Sequence, residues 1–235
     1  MSLPKPFQFK EFSVEHHRSP MPIGTDSVLL GSWVSLSDDN NILDVGTGCG
    51  LIALMCAQRT KQSSVTGIDI SKNAIEEASK NGIKSSWYSR LNFIHTSLKE
   101  YKPTRPFDVI ISNPPYFEAA GLQSPNNARA NARHANKMST ADILSFTKNH
   151  LSSKGKLALV LPYSSMNSLK VKTENQGFHF QRILKIRPKA NKEYNRFLVE
   201  IGQKRAQLIE NELFIRDENG LHSQEYAYLT SEFYL

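Results

Sequence analysis

The chain has 235 residues, 39% of them apolar, and its mean hydropathy of −0.43 is typical of one globular α/β domain. No apolar run approaches the roughly 20 residues of a membrane-spanning helix, and the N-terminus lacks the apolar core of a signal peptide, so we expect a cytoplasmic protein without membrane contact. The chain has 29 basic and 22 acidic residues, which gives a net charge of +7. This charge permits a polyanionic partner without identifying one.

In chain order, the apolar pattern alternates between helices and near-continuous apolar strands. The predicted helices cover 25–36, 51–59, 71–83, 139–153 and 168–177, and the predicted strands cover 41–46, 64–70, 91–96, 107–112, 155–162, 178–188 and 196–203. This alternation predicts an α/β fold with a doubly wound, mostly parallel sheet. The linker between the last two strands is too short for a helical crossover, so an antiparallel strand is expected at one end. We expect one domain over 24–235 and an N-terminal extension over 1–23, which either packs on the core or stays disordered until something binds.

The two cysteines, Cys49 and Cys56, lie in one segment without a CxxC motif or a histidine at zinc spacing. We interpret them as free thiols of a reducing compartment and expect no metal site.

A glycine-rich turn follows the first strand of the alternating pattern, in the run "LDVGTGCGLIAL". Asp44 precedes the glycines, and Gly46, Gly48 and Gly50 allow a tight turn and close approach of a ligand to the backbone. Asp69 ends the next strand, where nucleotide-binding α/β folds place a carboxylate that binds ribose. A glycine turn alone also occurs as a purely structural connection, and the absence of GK[ST] excludes a P-loop.

A proline-locked turn, Asn113-Pro114-Pro115-Tyr116, ends the strand "FDVIIS". Two prolines fix φ at two positions and restrict the residue before each of them, so the turn holds an amide and an aromatic ring in a fixed relation. The alternative interpretation is an ordinary proline-rich β-turn with Tyr116 packed on the surface.

Three features follow one another along the chain: the D-x-G-x-G-x-G motif, an acidic residue at the end of the second strand, and NPPY after the fourth strand. In this order they resemble the class I S-adenosylmethionine-dependent methyltransferases, in particular the branch that methylates the N6 amine of adenine. The resemblance implies a Rossmann-like methyltransferase sheet and an S-adenosylmethionine cofactor bound by Asp44, Gly46, Gly48, Gly50 and Asp69. In this class an acidic residue after the third strand often binds the adenine amine of the cofactor. This chain has Ser97 at that position, and a serine hydroxyl is a weaker hydrogen-bond acceptor than a carboxylate.

The NPPY turn suits methylation of the exocyclic amine of adenine. This amine is planar because its lone pair is delocalised into the adenine ring. The side-chain oxygen of Asn113 and the carbonyl of Pro114, oriented by Pro115, would accept the two N–H groups, and the ring of Tyr116 would stack on a flipped-out base. Methyl transfer then needs alignment rather than a metal or a covalent intermediate.

The stretch 7–33, "ARHANK" (132–137) and the terminal "EFYL" resemble the bacterial tRNA1(Val) adenine N6-methyltransferases, which act on the adenine beside the anticodon. The resemblance implies that Gly24, Thr25 and Asp26 lie near the methionine end of the cofactor, although Thr25 or Asp26 could equally cap a helix. Arg133 and His134 would contact the tRNA, or else belong to a solvated loop. Basic residues gather in 126–137 and 181–196, and no obligatory protein partner is inferred.

Three alternatives stay open at this point. A protein glutamine N5-methyltransferase uses the same NPPY turn but carries a helical recognition domain, for which 23 residues leave no room. A DNA adenine N6-methyltransferase usually adds a target-recognition domain. A non-catalytic RNA-binding module on this scaffold would be expected to have lost the glycines or NPPY, which are intact.

Overall fold

The computed structural model describes residues 5–17, 23–115 and 138–235. A short antiparallel hairpin, β1 (Phe7–Gln8) and β2 (Ser13–Val14), precedes the central eight-stranded sheet. The strands of that sheet are β3 (Asn41–Val45), β4 (Ser64–Asp69), β5 (Leu91–His95), β6 (Phe107–Ser112), β7 (Leu151–Pro162), β8 (His179–Lys189), β9 (Arg196–Gly202) and β10 (Ile209–Arg216).

The order of the strands in this sheet is β10-β8-β9-β7-β6-β3-β4-β5. Strand β9 runs antiparallel to both β7 and β8, while the other strand pairs are parallel. The prediction of a mostly parallel sheet with an antiparallel strand towards one end is therefore confirmed. Strand β10, which the sequence analysis did not assign, extends the sheet by pairing with β8.

Helices cover both faces of the sheet, as a doubly wound fold requires. They are α1 (Thr25–Trp33), α2 (Leu51–Gln58), α3 (Lys72–Lys84), α4 (Thr140–His150), α5 (Met166–Glu174) and α6 (Gln224–Leu229). Leu29 of α1 packs in the cluster that contains Ile42, whereas Leu144 of α4 packs with the neighbouring Leu43, which faces the other side. In the described part of the chain, no helix has the length and apolar character needed to cross a membrane.

The fourth predicted helix, 139–153, is three residues too long. It begins as predicted, because Ser139 forms a reciprocal capping box with Asp142. It ends at His150 because Leu151 already pairs with Phe107 at the start of β7. The hydroxyl of Ser152 then donates to Asp108 over 2.9 Å, which fixes this residue to β6.

The N-terminal residues 5–17 pack against the domain. Phe9, Phe12 and Val14 are buried in a cluster that includes Phe233. The side chain of Asn81 in α3 holds this segment through three hydrogen bonds of 2.9 Å each. Its Oδ1 accepts the N–H of Glu15, and its Nδ2 donates to the carbonyls of Glu15 and Cys49. The division of the chain between residues 23 and 24 stays a prediction.

Both cysteines are buried free thiols, as predicted. Burial raises the pKa of Cys49 and of Cys56 to about 12, so neither is a reactive thiolate near neutral pH.

Candidate functional site

Four parallel strands bring the predicted site residues to one edge of the sheet. The carboxyl ends of β3, β4, β5 and β6 are adjacent, and open α/β sheets bind ligands at this edge. Asp69 ends β4, the glycine turn follows β3, and Asn113 follows β6.

The glycine turn is pinned to strand β4. Gly46, Gly48 and Gly50 have φ values of 72°, 56° and 84°, a region that favours glycine. The N–H groups of Gly46 and Thr47 both donate to the carbonyl of Ile68, at 2.9 and 3.0 Å. These two N–H groups already have an acceptor inside the protein, so they are not available to bind a phosphate group. This agrees with the absence of a P-loop motif.

Asp69 connects the glycine turn to helix α3. Its Oδ2 accepts the N–H of Gly48 at 3.0 Å, and its Oδ1 accepts the N–H of Ser71 at 2.8 Å. An ionised carboxylate has about four acceptor positions, so the half-buried Asp69 can also accept hydroxyl groups of a ligand.

Asp44 is a buried residue near the end of β3, only 1% exposed. Its Oδ2 accepts the hydroxyl of Thr47 at 2.6 Å, while Oδ1 has no hydrogen-bond partner in the described part of the chain. Burial raises the pKa of Asp44 to about 7, and the Thr47 hydroxyl and the nearby backbone N–H of Ala53 only partly oppose this. An unpartnered buried carboxylate oxygen beside a glycine turn fits a ligand that brings a donor or a positive charge.

The proline-locked turn lies directly beside the glycine turn. The hydroxyl of Ser112 donates to the carbonyl of Val45 at 2.8 Å, and Val45 immediately precedes Gly46. Asn113 is half-buried, Pro114 is buried, and the Asn113 Nδ2 donates to the hydroxyl of Ser27 at 2.9 Å. Of the other predicted contacts, Pro115 is half-buried, and Tyr116, Arg133 and His134 lie outside the described residues.

The first turn of α1 lies against this site through Ser27. Gly24 is the N-cap, and among the described residues no side chain forms a cap bond to the helix, so the interpretation of Thr25 or Asp26 as its cap is wrong. Thr25 is exposed, and Asp26 accepts the Nε of Arg196 at 2.9 Å.

Ser97 follows strand β5 and is bound to Glu100. Its hydroxyl donates to the Glu100 carboxylate at 2.8 Å and accepts the N–H of Glu100 at 3.3 Å. An acidic group therefore does lie after β5, three residues beyond the predicted position.

The basic segment 181–196 is partly neutralised by acidic residues. Its ion pairs are Arg182–Glu200, Lys185–Glu210, Arg187–Glu212 and Arg196–Asp26. Lys189 and Lys192, at the carboxyl end of β8 and in the following loop, form no ion pair with the residues that the structure describes. The other basic segment, 126–137, lies outside those residues.

Sequence reasoning missed Ser27 and Thr47, which contact Asn113 and Asp44. Thr47 is inside the glycine motif, and a hydroxyl three residues after Asp44 was a usable signal. No sequence signal pairs Ser27 with Asn113, because 86 residues separate them.

A cavity of about 340 Å³ lies at the opposite edge of the sheet, among the amino ends of β3 to β6. None of the predicted site residues lines it. The carboxyl edge is the better candidate because the glycine turn, two acids and the proline-locked turn converge there.

The chain is similar to known methyltransferases over nearly its full length. Residues 21–179 match the model of the methyltransferase small domain family. A tRNA1(Val) (adenine(37)-N6)-methyltransferase from Vibrio campbellii is 38% identical over 231 residues, 98% of this chain and 96% of that relative. A relative of the same name from Aeromonas salmonicida is 36% identical over 97% of each chain.

Solved structures show the same fold at lower identity. A predicted O-methyltransferase from Agrobacterium tumefaciens has a TM-score of 0.69 at 21% identity, with 88% of this chain and 96% of that chain covered. A methyltransferase from Thiobacillus denitrificans in complex with S-adenosylhomocysteine has a TM-score of 0.53 at 17% identity, covering 71% and 69% of the two chains.

Proposed function

The chain belongs to the family of tRNA1(Val) (adenine(37)-N6)-methyltransferases, and from this membership we propose that it methylates the N6 amine of adenine 37, beside the anticodon of a valine tRNA, with S-adenosylmethionine as donor. The observation that carries the proposal is the Ser112–Val45 hydrogen bond, which holds the proline-locked turn and the glycine turn together. A tRNA substrate supports a cytoplasmic location, and we propose no obligatory protein partner.

We assign the cofactor to the edge formed by the glycine turn and Asp69. When bound, S-adenosylmethionine supplies an electrophilic methyl group on a positively charged sulfur. Asp69 would accept the ribose hydroxyls, and the backbone at Gly46, Gly48 and Gly50 would approach the cofactor closely. Asp44 would meet the cationic methionine end with its unpartnered Oδ1, near Gly24 and Thr25. Ser97, with the carboxylate of Glu100, would bind the adenine of the cofactor.

The proline-locked turn would hold the target amine. The Oδ1 of Asn113 and the carbonyl of Pro114 would each accept one N–H, which favours a pyramidal, more nucleophilic nitrogen. Pro115 restricts the backbone of Pro114 and so fixes its carbonyl, and Tyr116 would stack on the flipped base. Alignment of this kind can lower the activation free energy of methyl transfer by roughly 7–11 kcal/mol.

Cofactor affinity is expected to depend on pH through Asp44. Since its pKa is about 7 in the ligand-free protein, the carboxylate is mostly protonated at pH 5.5 and mostly ionised at pH 8. A cationic ligand binds the ionised form, so the Kd for S-adenosylmethionine should fall by up to about tenfold per pH unit from pH 5.5 to 7 and then level off. Isothermal titration calorimetry measures this. The Asp44→Asn variant should bind weakly with a flat pH profile, and a retained slope would assign the titration to another group.

We propose that Lys189 and Lys192 contact the phosphates of the anticodon stem-loop. Three strand spacings separate β8 from β6, which is roughly 14 Å and within the reach of an RNA whose adenine is bound at Asn113. The loop between β8 and β9 is held by Arg187, which donates to the hydroxyl of Tyr194 at 2.6 Å and to the carbonyl of Ala190 at 3.3 Å. Arg133 and His134 would add contacts from the other basic segment.

The double variant Lys189→Ala/Lys192→Ala should bind tRNA roughly tenfold more weakly at physiological salt, because two phosphate contacts are lost. The slope of the logarithm of the tRNA binding constant against the logarithm of the salt concentration should become smaller in magnitude by about one to two. Filter binding over a salt series measures both. The control Lys154→Ala/Lys204→Ala, at the opposite edge of the sheet, should match the wild type. An unchanged slope in the first variant would remove this loop from the interface.

Mass spectrometry of nucleosides tests the proposed function. Valine tRNA from a deletion strain should lack N6-methyladenosine at position 37, and the wild-type gene should restore it. Purified protein should transfer radiolabelled methyl groups into that tRNA. Incorporation into DNA or into release factors instead would support one of the alternatives and contradict the proposal.

A further inference from the structure

We propose that Ser27 is a positioning residue that orients the side-chain amide of Asn113, so that the amide oxygen faces the target amine. The inference deepens the proposed function and rests on it. Its basis is the contact between the Asn113 Nδ2 and the Ser27 hydroxyl oxygen, which measures 2.9 Å and joins helix α1 to the end of strand β6.

The orientation of this amide decides whether Asn113 can work. An asparagine amide is planar, with an acceptor oxygen on one edge and a donor NH2 on the other. The two groups are nearly the same size, so packing alone does not choose between them. An amine substrate offers N–H donors, and the NH2 edge would give these donors no acceptor. The productive orientation turns Nδ2 the other way, and the Ser27 hydroxyl supplies the acceptor that Nδ2 then needs.

Helix α1 is rigid enough to serve as this partner. Val28, Leu29 and Leu30, which directly follow Ser27, are fully buried. Asp26, just before it, is paired with Arg196 of β9 at 2.9 Å. The backbone of Ser27 is therefore held in place against the sheet, beside the amide of Asn113.

The far end of α1 is fixed as well. Arg59 donates to the carbonyls of Gly31 and Val34, both at 2.8 Å. The Nδ2 group of Asn113 has only donors, so the Ser27 oxygen is the acceptor in this contact.

The test compares Ser27→Ala with the wild type and then repeats the change in an Asn113→Asp background. Ser27→Ala should lower kcat about tenfold, while the affinities for S-adenosylmethionine and tRNA change less than twofold. Ser27→Thr keeps a hydroxyl and should recover most of the rate. A carboxylate has an acceptor on both edges and needs no orientation, so Ser27→Ala should change kcat less than twofold in the Asn113→Asp background.

Three outcomes would overturn the inference. One is an unchanged kcat in Ser27→Ala. Another is an equal loss of kcat in both backgrounds, which would assign Ser27 a structural role in the helix. The third is a parallel loss of cofactor affinity, which would place Ser27 in the cofactor pocket instead.

A measurement on the free protein keeps the inference separate from the proposed function. In NMR spectra, the hydrogen-bonded Nδ2 proton of Asn113 should lose its downfield shift and exchange protection in Ser27→Ala, while the side-chain amide of the exposed Asn92 stays unchanged. Unchanged Asn113 signals would refute the contact even if the wild type proved inactive on tRNA. Absent tRNA methylation together with the predicted NMR change would refute the proposed function alone.

Discussion

Replacing Asn113 by alanine is expected to lower kcat by about 100- to 1,000-fold while the Kd for S-adenosylmethionine changes less than threefold. The amide is proposed to contact the target amine, and loss of one preorganised group that acts on the reacting atoms typically has an effect of this size. The proposed cofactor contacts, the glycine turn and Asp69, are left intact by this change. Single-turnover methyl transfer into tRNA and calorimetric binding of the cofactor measure the two quantities.

The matched control for this variant is Asn92→Ala. Asn92 is an exposed asparagine at the start of β5, at the opposite edge of the sheet. It should retain wild-type kcat. If Asn113→Ala lost cofactor affinity in proportion to kcat, the amide would belong to the cofactor pocket and not to the catalytic turn.

The second large effect is expected from Asp69→Ala, which should raise the Kd for S-adenosylmethionine by at least about 100-fold. Two charge-assisted hydrogen bonds to the ribose would be lost, each worth about 1.5–3 kcal/mol. The N–H groups of Gly48 and Ser71 also lose their acceptor, so the turn itself loosens. Titration calorimetry below the melting temperature of the variant measures the Kd.

Asp108→Ala separates the loss of the ribose contacts from the loss of loop support. Asp108 is also half-buried, and it accepts the N–H of Asn41 and the hydroxyl of Ser152, both at 2.9 Å, at the opposite edge of the sheet. Its removal should lower the melting temperature without changing the Kd for the cofactor. A normal Kd in Asp69→Ala would exclude the ribose contact.

The central strands could be predicted from the sequence because a strand buried on both faces is almost continuously apolar. Strand β6 is the clearest case, since its predicted and observed bounds both run from residue 107 to residue 112. Strand β10 was missed because it is an edge strand with the sequence "IENELFIR", and its first four residues are exposed. An edge strand needs only one apolar face, which leaves a weak pattern.

The candidate site could be predicted only where its residues are close in sequence or follow consecutive strands. The glycine turn and Asp69 meet this condition, and parallel strands bring them together. The basic segment 181–196 was less informative than it looked, because Glu210 and Glu212 of the unpredicted β10 neutralise Lys185 and Arg187. The raised pKa of Asp44 depends on burial, which the motif does not encode.

A crystal structure of the protein with S-adenosylhomocysteine would show directly whether the glycine turn and the proline-locked turn form one pocket. The ribose hydroxyls are expected to contact Asp69, and the sulfur is expected to point towards the Oδ1 of Asn113, with room between them for an amine about 3–3.5 Å from a transferable methyl group. The ligand bound at another edge of the sheet, or the Asn113 oxygen turned away from the sulfur, would contradict this expectation.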